Sequence, residues 1–488
     1  MGLDHSFDWK GFRFAEKIFL ASVTIGMVGH AGFLYMNKVP SVPISQPVLV
    51  AIQETSPNTA QVTMTAFSTT TSQRIINTLT IADAVPREGK FIAADLENMS
   101  ITLYQDGETI AEYPILTKGK PGSPFETPTG FYNVLTKENN HFNNLAQVYL
   151  PYSMQFYGNY FIHGWPYYTD GSPVSSTYSG GCIRLSTADA KVVFNFVQKG
   201  TGIFVYDPIR AEQTSSLVLN VLQTPLVSAT SYLVADIDTG DVFLEQGAQD
   251  ARPIASVTKL MTALVANETI MYNKKIVTAR EELLHTVDVR STKKETFVVG
   301  DLFYPLLMES NNAVANRLAN YYGATGFIDW MNTTAKALDM QTTNFADASG
   351  ISTENMSTPD DLYRLSKYLT NKKPFILDIT RTPTKKLVAD SGNVYHFNNF
   401  NVFSSSSDFV GGKVGQTAVA QETMVSIFSI PVNGVPRRVA IIVLGSDSYT
   451  DDTTKLVDWF IQSSQQGAAL SSTACISCAR PANYRKIK

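Results

Sequence analysis

The chain has 488 residues, of which 44% are hydrophobic and 17% are charged. This length predicts two or three domains, and the composition excludes an intrinsically disordered chain. The net charge of −4 argues against a nucleic-acid-binding protein, and the sequence has no Gly-rich phosphate loop of the nucleotide-binding patterns.

The N-terminal region predicts export. Residues 18–37 contain no Asp, Glu, Lys or Arg, and about 20 such residues suffice to cross a bilayer as a helix. Basic residues precede this stretch, which predicts a cytoplasmic N-terminus over 1–17, a single-pass anchor in the cell membrane and extracytoplasmic catalytic domains. A signal peptide cleaved near Ala31 is the alternative, and it also exports the remaining chain. Residues 38–88, rich in Ser, Thr and Pro, predict a stalk.

Short β-type runs and turns dominate residues 89–207. Asp106-Gly107, between two such runs, is typical of a hairpin turn. Within this region only residues 187–200 show apolar residues at helical spacing. A mainly-β domain is therefore predicted, followed by a linker over 208–227.

Cys182 is the only cysteine among the first 474 residues, and it lies in the stretch SSTYSGGCIRLS. A thiol becomes a nucleophile when a base or a cation favours its thiolate, and His163 precedes it at the end of an apolar run. Gly180 and Gly181 allow close backbone approach and offer N–H groups for an oxyanion hole. The residues alone leave a small buried cysteine as the alternative.

The segments IHG and SGGCIRL resemble the L,D-transpeptidase catalytic domain of the YkuD type, and the resemblance covers roughly 89–207. It implies that Cys182 accepts the acyl group of a peptidoglycan tetrapeptide stem, that His163 is its base, and that the Gly164 carbonyl orients the histidine. The acyl group would then pass to an amine on a neighbouring stem. Gly180 stands where the family often has a second histidine. Three further residues are implied to support the site and bind substrate: Ser179, Gly181 and Arg184.

The region 228–467 shows a different pattern. A hairpin is predicted at Thr239-Gly240, a mainly helical region follows over roughly 256–378, and strands return with a hairpin turn at Asn433-Gly434. A final helix is predicted over 451–464. Strands and helices in this order predict an α+β domain.

Three short motifs follow one another in this domain. Ser256 and Lys259 form an S-x-x-K pair, which a helix places on one face, so that a neutral lysine can take the hydroxyl proton. That pair alone is weak evidence, because an ordinary amphipathic helix also explains it. Ser310 and Asn312 form S-x-N, and KVG at 413–415 stands close to K-T-G. Penicillin-binding proteins and β-lactamases carry this set of three motifs.

The stretches PIASVTKLMTALVA, FADASGISTENMSTPDDLYRLSKYL and GGKVGQT are similar to serine-type D-alanyl-D-alanine carboxypeptidases, the low-molecular-weight penicillin-binding proteins, over roughly 228–465. The resemblance implies that Ser256 forms the acyl-enzyme, that Lys259 is its base and that Ser310 relays protons. Val414 replaces a threonine of the third motif and removes a hydroxyl that would hold the substrate carboxylate. Substrate-binding roles are implied for four residues: Asn312, Lys413, Gly415 and Thr417.

Together these patterns predict a multidomain fold class: an N-terminal transmembrane helix, a mainly-β L,D-transpeptidase domain, and an α+β domain like those of β-lactamases and penicillin-binding proteins. The expected function is peptidoglycan remodelling by both activities, without a metal or cofactor. Stem peptides, β-lactam antibiotics and the membrane are the expected partners. The alternatives are a binding-only serine domain, a β-lactamase-type hydrolase or a structural anchor. In the C-terminal tail, 468–488, Cys475 and Cys478 could pair in an oxidising compartment.

Overall fold

A computed structural model describes residues 74–76, 79–144, 146–208, 217, 219, 222–279 and 294–465. Several predicted segments lie outside these residues. They are the cytoplasmic segment 1–17, the membrane helix 18–37, most of the stalk 38–88, and the tail 468–488 with Cys475 and Cys478.

The predicted fold class is wrong in its transmembrane component. Within the described residues, no helix combines the length and the apolarity needed to cross a bilayer. The longest described helix, Tyr449–Ser464, has 16 residues, whereas a bilayer-spanning helix needs about 20. The described residues support a fold class of two folded domains, one mainly β and one α+β.

The cysteine domain, residues 90–206, is built mainly from strands, and a short helix α1 (Ile81–Ala84) precedes it. Its strands are β1 (Lys90–Asp95), β2 (Ser100–Gln105), β3 (Glu108–Pro114), β4 (Gly130–Asn133), β5 (Thr136–Asn143), β6 (Val148–Tyr157), β7 (Tyr160–His163), β8 (Tyr167–Tyr168), β9 (Ile183–Arg184) and β10 (Gly202–Tyr206). One sheet has the strand order β3-β2-β1-β10-β4, with β1 and β10 parallel. The other has the order β5-β6-β7-β9, with β8 paired to β6.

Apolar side chains from both sheets form the core of the cysteine domain. Ile92 from the first sheet and Phe156 and Ile162 from the second belong to one buried cluster, and each is at most 1% exposed. The hairpin predicted at Asp106-Gly107 is confirmed, since these residues join β2 to β3 with the positive φ angles, 54° and 84°, that such a turn requires.

Two short strands position the cysteine site. Strand β7 ends at His163, and β9 begins immediately after Cys182; the two strands pair in parallel, with His163 opposite Arg184. Helix α2 (Thr187–Phe196) follows at once, inside the range predicted to be helical, and Ser186 caps its first turn.

The serine domain, residues 231–464, combines one large sheet with several helices. Its strands are β11 (Ser231–Asp236), β12 (Val242–Gln246), β13 (Arg252–Pro253), β14 (Lys275–Ala279), β15 (Lys294–Val298), β16 (Met356–Ser357), β17 (Thr384–Val388), β18 (Val394–Asn398), β19 (Phe409–Thr417), β20 (Gln421–Val432) and β21 (Val435–Ser446). Its helices are α3 (Thr258–Ala266), α4 (Val299–Met308), α5 (Asn312–Tyr322), α6 (Ala324–Ala337), α7 (Pro359–Lys372), α8 (Pro374–Thr380) and α9 (Tyr449–Ser464). A 3₁₀ turn, Ala255–Val257, leads into α3, and a π-helical turn, Asn267–Met271, continues it.

The large sheet, in the order β12-β11-β21-β20-β19, packs on both faces. Successive residues of a strand point to opposite faces, and β21 buries apolar side chains on both faces of the sheet. Ile442 joins the buried cluster that contains Leu264 of α3, and Ile441 joins the cluster that contains Phe460 of α9. The sheet is therefore the middle layer of the serine domain.

The local turn signals of this domain also hold. Thr239-Gly240 lies between β11 and β12, and Asn433-Gly434 lies between β20 and β21, so both predicted hairpins are confirmed. The antiparallel pair of β14 and β15 lies inside the region predicted to be mainly helical, and the helical pattern missed these two strands.

The described residues all belong to one unit, and within it the two domains share a buried polar interface. Lys373, which is fully buried, donates a hydrogen bond to the Glu126 carbonyl oxygen at 2.8 Å and lies 3.5 Å from the Glu268 carboxylate. The hydroxyls of Tyr157 and Thr334 are 2.6 Å apart across the same boundary. Because a buried charge without its partner is costly, these contacts fix how the domains meet.

Replacing Lys373 tests this interface. Lys373→Met keeps most of the side-chain volume but leaves the Glu268 carboxylate without its cation, and we expect a loss of roughly 3–5 kcal/mol, the usual cost of breaking a buried ion pair. Urea unfolding followed by tryptophan fluorescence measures the change. The double variant Lys373→Met/Glu268→Gln removes both charges and should recover much of the loss. If Lys373→Met is as stable as the parent, the buried contacts of Lys373 do not stabilise the interface.

Candidate active sites

The cysteine site is a cavity whose wall contains Cys182, His163 and Arg184. The parallel pairing of β7 and β9 brings them together, because His163 ends one strand and Cys182 leads into the other. His163 is 1% exposed, and Cys182 is half-buried. The thiol and the imidazole therefore face one space.

The imidazole of His163 is held in one tautomer. Its Nδ1 lies 2.6 Å from the Gly164 carbonyl oxygen. A carbonyl oxygen only accepts hydrogen bonds, so Nδ1 carries the proton, and Nε2 is left to accept one. Burial lowers the pKa of His163 to about 4, although the hydrogen bond to Gly164 opposes the shift. The ring is therefore neutral at pH 7, as a general base must be.

The Cys182 thiol is protonated at rest. Burial raises its pKa to about 11, against smaller opposing effects of the Phe161 N–H and the Arg184 charge. Its Sγ lies 3.9 Å from the Asn159 carbonyl oxygen. The resting pair is thus a thiol and a neutral imidazole, without a preformed thiolate. A nucleophilic role for Cys182 would therefore require proton transfer, and His163 Nε2 is the acceptor that the cavity offers.

Ser179 and Gly181 shape the turn before Cys182. Ser179 Oγ donates to the Cys182 carbonyl at 2.5 Å and accepts from the Gly181 N–H at 3.0 Å. That N–H is therefore not available as an oxyanion donor, whereas Gly180 lines the cavity. Gly181 has a φ of +107°, and a Cβ there would lie 2.1 Å from the Tyr160 ring, so only glycine fits.

Arg184 is a nearly buried cation beside His163. Its Nη1 donates to the Ser176 carbonyl oxygen at 3.3 Å, and the guanidinium lies 5.7 Å from the centre of the Trp165 ring. Its Nε has no hydrogen-bond partner among the described residues. A cation with an unused buried donor at the cavity wall can bind an anionic group of a substrate.

The serine site is organised around the amine of Lys259. Ser256 precedes helix α3, and Lys259 lies in the first turn of that helix. Three polar atoms surround Lys259 Nζ: Ser256 Oγ at 2.9 Å, Asn312 Oδ1 at 2.7 Å, and the carbonyl oxygen of Ser349. The amide and carbonyl oxygens only accept, so they take two N–H groups of the amine. The remaining position on Nζ faces the Ser256 hydroxyl.

Burial sets the charge of this amine. It lowers the pKa of Lys259 to about 7, while the Asp347 carboxylate opposes the shift. A large fraction of Lys259 is therefore neutral at pH 7. In the neutral form, with two N–H groups donated elsewhere, its lone pair points to the Ser256 hydroxyl, which is the arrangement of a nucleophile and its base.

Ser310 and Lys413 approach the same centre from other elements. Ser310 precedes α5 with a φ of 58°, a strained conformation for a residue with a side chain. Lys413, on β19, donates from Nζ to Ser310 Oγ at 3.0 Å and to the Val414 carbonyl at 2.7 Å. Burial, followed by the nearby Lys259, lowers the pKa of Lys413 well below its usual value. Motifs far apart in sequence thus meet around Ser256.

Strand β19 forms the wall beside the serine. A Cβ on Gly415 would lie 2.8 Å from the Ser256 backbone nitrogen, so glycine permits this close approach. Val414 packs against the hydrophobic cluster that includes α9 and presents no hydroxyl to the site. Thr417, at the end of the strand, accepts a hydrogen bond on Oγ1 from the Ala420 N–H at 3.1 Å.

No sequence pattern singled out Asp347 and Ser349. The Asp347 carboxylate accepts hydrogen bonds from the N–H groups of Ser349, Gly350 and Ser352. These bonds fix the loop so that the Ser349 carbonyl meets Lys259. Burial opposes the Asp347 charge, but the hydrogen bonds outweigh it and lower the pKa of Asp347. The available signal was the segment DASG, where an aspartate precedes a Ser-Gly turn.

Known families match both halves of the chain. The family model of the L,D-transpeptidase catalytic domain matches residues 89–206, and that of the D-alanyl-D-alanine carboxypeptidases matches 219–448. A D-alanyl-D-alanine endopeptidase of Pseudomonas aeruginosa is 30% identical over 251 residues, which are 49% of this chain and 78% of that protein. The chain belongs to the D-alanyl-D-alanine carboxypeptidase family. It also carries an L,D-transpeptidase domain, and it is an enzyme of these two types.

Other members of the carboxypeptidase family show similar coverage. D-alanyl-D-alanine carboxypeptidase DacB2 of Mycobacterium tuberculosis is 28% identical over 251 residues, 47% of this chain and 81% of that protein. Among solved structures, penicillin-binding protein D2 of Listeria monocytogenes in its ampicillin-bound form is 28% identical, with a TM-score of 0.42, covering 49% of this chain and 98% of that one.

The low pKa of His163 predicts an unusual acid limit for the L,D-transpeptidase centre. Its base form persists down to about pH 4, and below that the imidazolium cannot accept the thiol proton. We expect kcat/KM for tetrapeptide stems to fall to half near that pH, not near the ordinary histidine value of about 6.5. His163→Ala should lower kcat by roughly 10²- to 10⁴-fold. An acid limit near 6.5 would contradict the assigned protonation state.

The carboxypeptidase centre should respond to pH through Lys259. Because only the neutral amine accepts the Ser256 proton, acylation by ampicillin should rise through about pH 7 and level off above it. Lys259→Arg places a permanent cation there and should slow acylation by about 10²- to 10⁴-fold. Labelling with a fluorescent penicillin gives the rate, and Lys386→Arg, on an exposed residue of β17, is the matched control. Rapid labelling of Lys259→Arg would exclude Lys259 as the base.

Proposed function

We propose that this chain is a two-centre peptidoglycan enzyme, which trims pentapeptide stems at Ser256 and crosslinks the resulting tetrapeptides at Cys182. The completeness of both centres supports the proposal. The Lys259 amine lies between Ser256 and Asn312, and a neutral His163 shares a cavity with Cys182. Enzymes that act on peptidoglycan work outside the cytoplasm, and the two folded domains belong there.

The serine step is a carboxypeptidation. Lys259 takes the hydroxyl proton as Ser256 Oγ attacks the carbonyl carbon of the penultimate D-Ala. The amide C–N bond breaks, and the terminal D-Ala leaves with a proton delivered through Ser310, which accepts a hydrogen bond from Lys413. Water then hydrolyses the ester, so that a tetrapeptide is released and Ser256 regains its proton.

The cysteine step is an acyl transfer. Cys182 Sγ attacks the carbonyl carbon of the third stem residue while His163 Nε2 takes the thiol proton. The C–N bond to the fourth residue breaks, and the imidazolium returns its proton to the leaving amine of D-Ala. The amine of a neighbouring stem then attacks the thioester, which forms the new amide and restores the thiol. The buried Arg184 is available for an anionic group of the stem.

The two steps form a sequence, because the product of the serine step is the donor of the cysteine step. Both centres lie in one unit of the chain. A tethered second centre meets the first product at a higher local concentration than free enzymes would. Trimming and crosslinking by the same molecule are therefore expected to be faster than by two separated domains.

Two narrower functions compete with this proposal at the serine centre. A binding-only serine domain is favoured by Val414, because losing one hydrogen bond to a charged group costs about 1.5–3 kcal/mol. A D,D-endopeptidase is favoured by the relatives that bear that name. A β-lactam should acylate Ser256 in a carboxypeptidase and in an endopeptidase alike. Ampicillin labelling that Ser256→Ala abolishes would therefore separate these two enzymes from the binding-only domain.

Mass spectrometry of muropeptide products tests the sequence of steps. With pentapeptide stems, we expect release of one D-Ala and then crosslinked dimers. Ser256→Ala should abolish dimers from pentapeptide stems but leave dimers from tetrapeptide stems unchanged, because only the first needs trimming. Cys182→Ala should abolish dimers from both and still release D-Ala.

Three other results would each contradict a part of the proposal. If Ser256→Ala loses dimers equally from pentapeptide and tetrapeptide donors, the proposed order of the two steps is contradicted. D-Ala release without dimers would remove crosslinking from the proposal. Cleavage of D-Ala-linked dimers that depends on Ser256 would identify an endopeptidase.

A further inference from the structure

Helix α3 reaches from one catalytic centre to the other. Ser256 lies just before its first residue, and Asn267 follows its last. A helix rises about 1.5 Å per residue, so roughly 16 Å separate these two positions. The π-helical turn Asn267–Met271 then contributes Asn267, Glu268 and Met271 to the wall of the Cys182 cavity. The serine domain therefore supplies part of the cysteine site.

The Asn267 side chain is fixed with an unused acceptor. It is 3% exposed, and its Nδ2 donates to the Pro124 carbonyl oxygen of the cysteine domain at 2.8 Å. A flipped amide would place two oxygens against each other, so this bond determines which atom is Oδ1. Among the described residues, Asn267 Oδ1 has no hydrogen-bond partner. A buried acceptor of this kind is normally satisfied by a protein or water donor, and a ligand seated in the cavity that Asn267 lines can supply such a donor.

The cavity has the size and the charge for a stem peptide. It encloses about 440 Å³, within the roughly 300–1,000 Å³ typical of ligand sites. Arg184 contributes a cation from the cysteine domain, and Lys274 contributes one from the serine domain. Stem peptides carry carboxylates and a row of amide N–H groups, so they offer anions to these cations and donors to Asn267.

We infer that Asn267 of the serine domain is a substrate-binding residue of the cysteine centre, with its Oδ1 accepting a hydrogen bond from a main-chain N–H of the stem peptide held against Cys182. This inference rests on the proposed acyl transfer at Cys182. It makes the L,D-transpeptidase site a composite of both domains, complete only in the joined chain.

Protection of the Cys182 thiol measures binding without turnover. The full chain is treated with iodoacetamide at rising concentrations of a tetrapeptide-stem muropeptide in which a methylene group replaces the scissile carbonyl. Mass spectrometry of the peptide that contains Cys182 gives the concentration for half-protection. Because only this thiol is followed, ligand bound at the serine centre does not contribute.

Three variants separate an acceptor from a purely structural contact. Asn267→Ala and Asn267→Asp both lose the amide hydrogen bond to Pro124, but only the aspartate keeps an acceptor oxygen, and its protonated form turns a hydroxyl to the Pro124 carbonyl. We expect Asn267→Ala to raise the half-protection concentration at least tenfold and Asn267→Asp to raise it less than threefold. Tyr157→Phe removes the interdomain hydrogen bond to Thr334 away from the cavity and should leave the value within twofold.

The outcomes distinguish this inference from the proposed function. Equal half-protection for the parent and Asn267→Ala, equal losses in both Asn267 variants, or an unprotected parent would overturn it. A parent that is protected, depends on Asn267 and yet forms no dimers would overturn the transpeptidation and leave Asn267 as a binding residue.

Discussion

The burial of helix α3 is the constraint on which both centres depend. Every residue from Thr258 to Ala266 is buried, and six of the nine are apolar, as expected for a helix packed on all sides. The helix therefore lies inside the serine domain, where it carries Lys259 away from water at its beginning. At its other end it holds Asn267 against the cysteine domain through Pro124. Packing of one apolar segment thus positions a base and couples two domains.

Both centres obtain their protonation states in the same way, because burial disfavours the charged form of each group. It lowers the pKa of His163 to about 4 and of Lys259 to about 7, and it raises that of Cys182 to about 11. Each centre therefore begins with a neutral base beside a protonated nucleophile. In the proposed reactions, charge develops only when the substrate is attacked, in sites whose dipoles are already oriented.

The amino-acid sequence predicts the features that a few consecutive residues determine. The hairpin turn at Asn433-Gly434 and the S-x-x-K pair of Ser256 can be identified from a few consecutive residues. It does not reveal that Asn267 lies at the Cys182 cavity or that Asp347 supports Lys259, because those relations arise only when distant segments pack. The protonation states of His163, Lys259 and Cys182 cannot be predicted from the sequence for the same reason, since they depend on burial.

One molecule of this chain is proposed to carry two acyl-transfer centres, at Ser256 and at Cys182. Both centres are tested together by intact-mass spectrometry and peptide mapping of the chain after exposure to ampicillin and then to tetrapeptide stems without an acceptor amine. We expect molecules that carry both adducts, with the penicilloyl group on the peptide containing Ser256 and the stem acyl group on the peptide containing Cys182. Adducts that exclude one another, or that both fall on one residue, would contradict it.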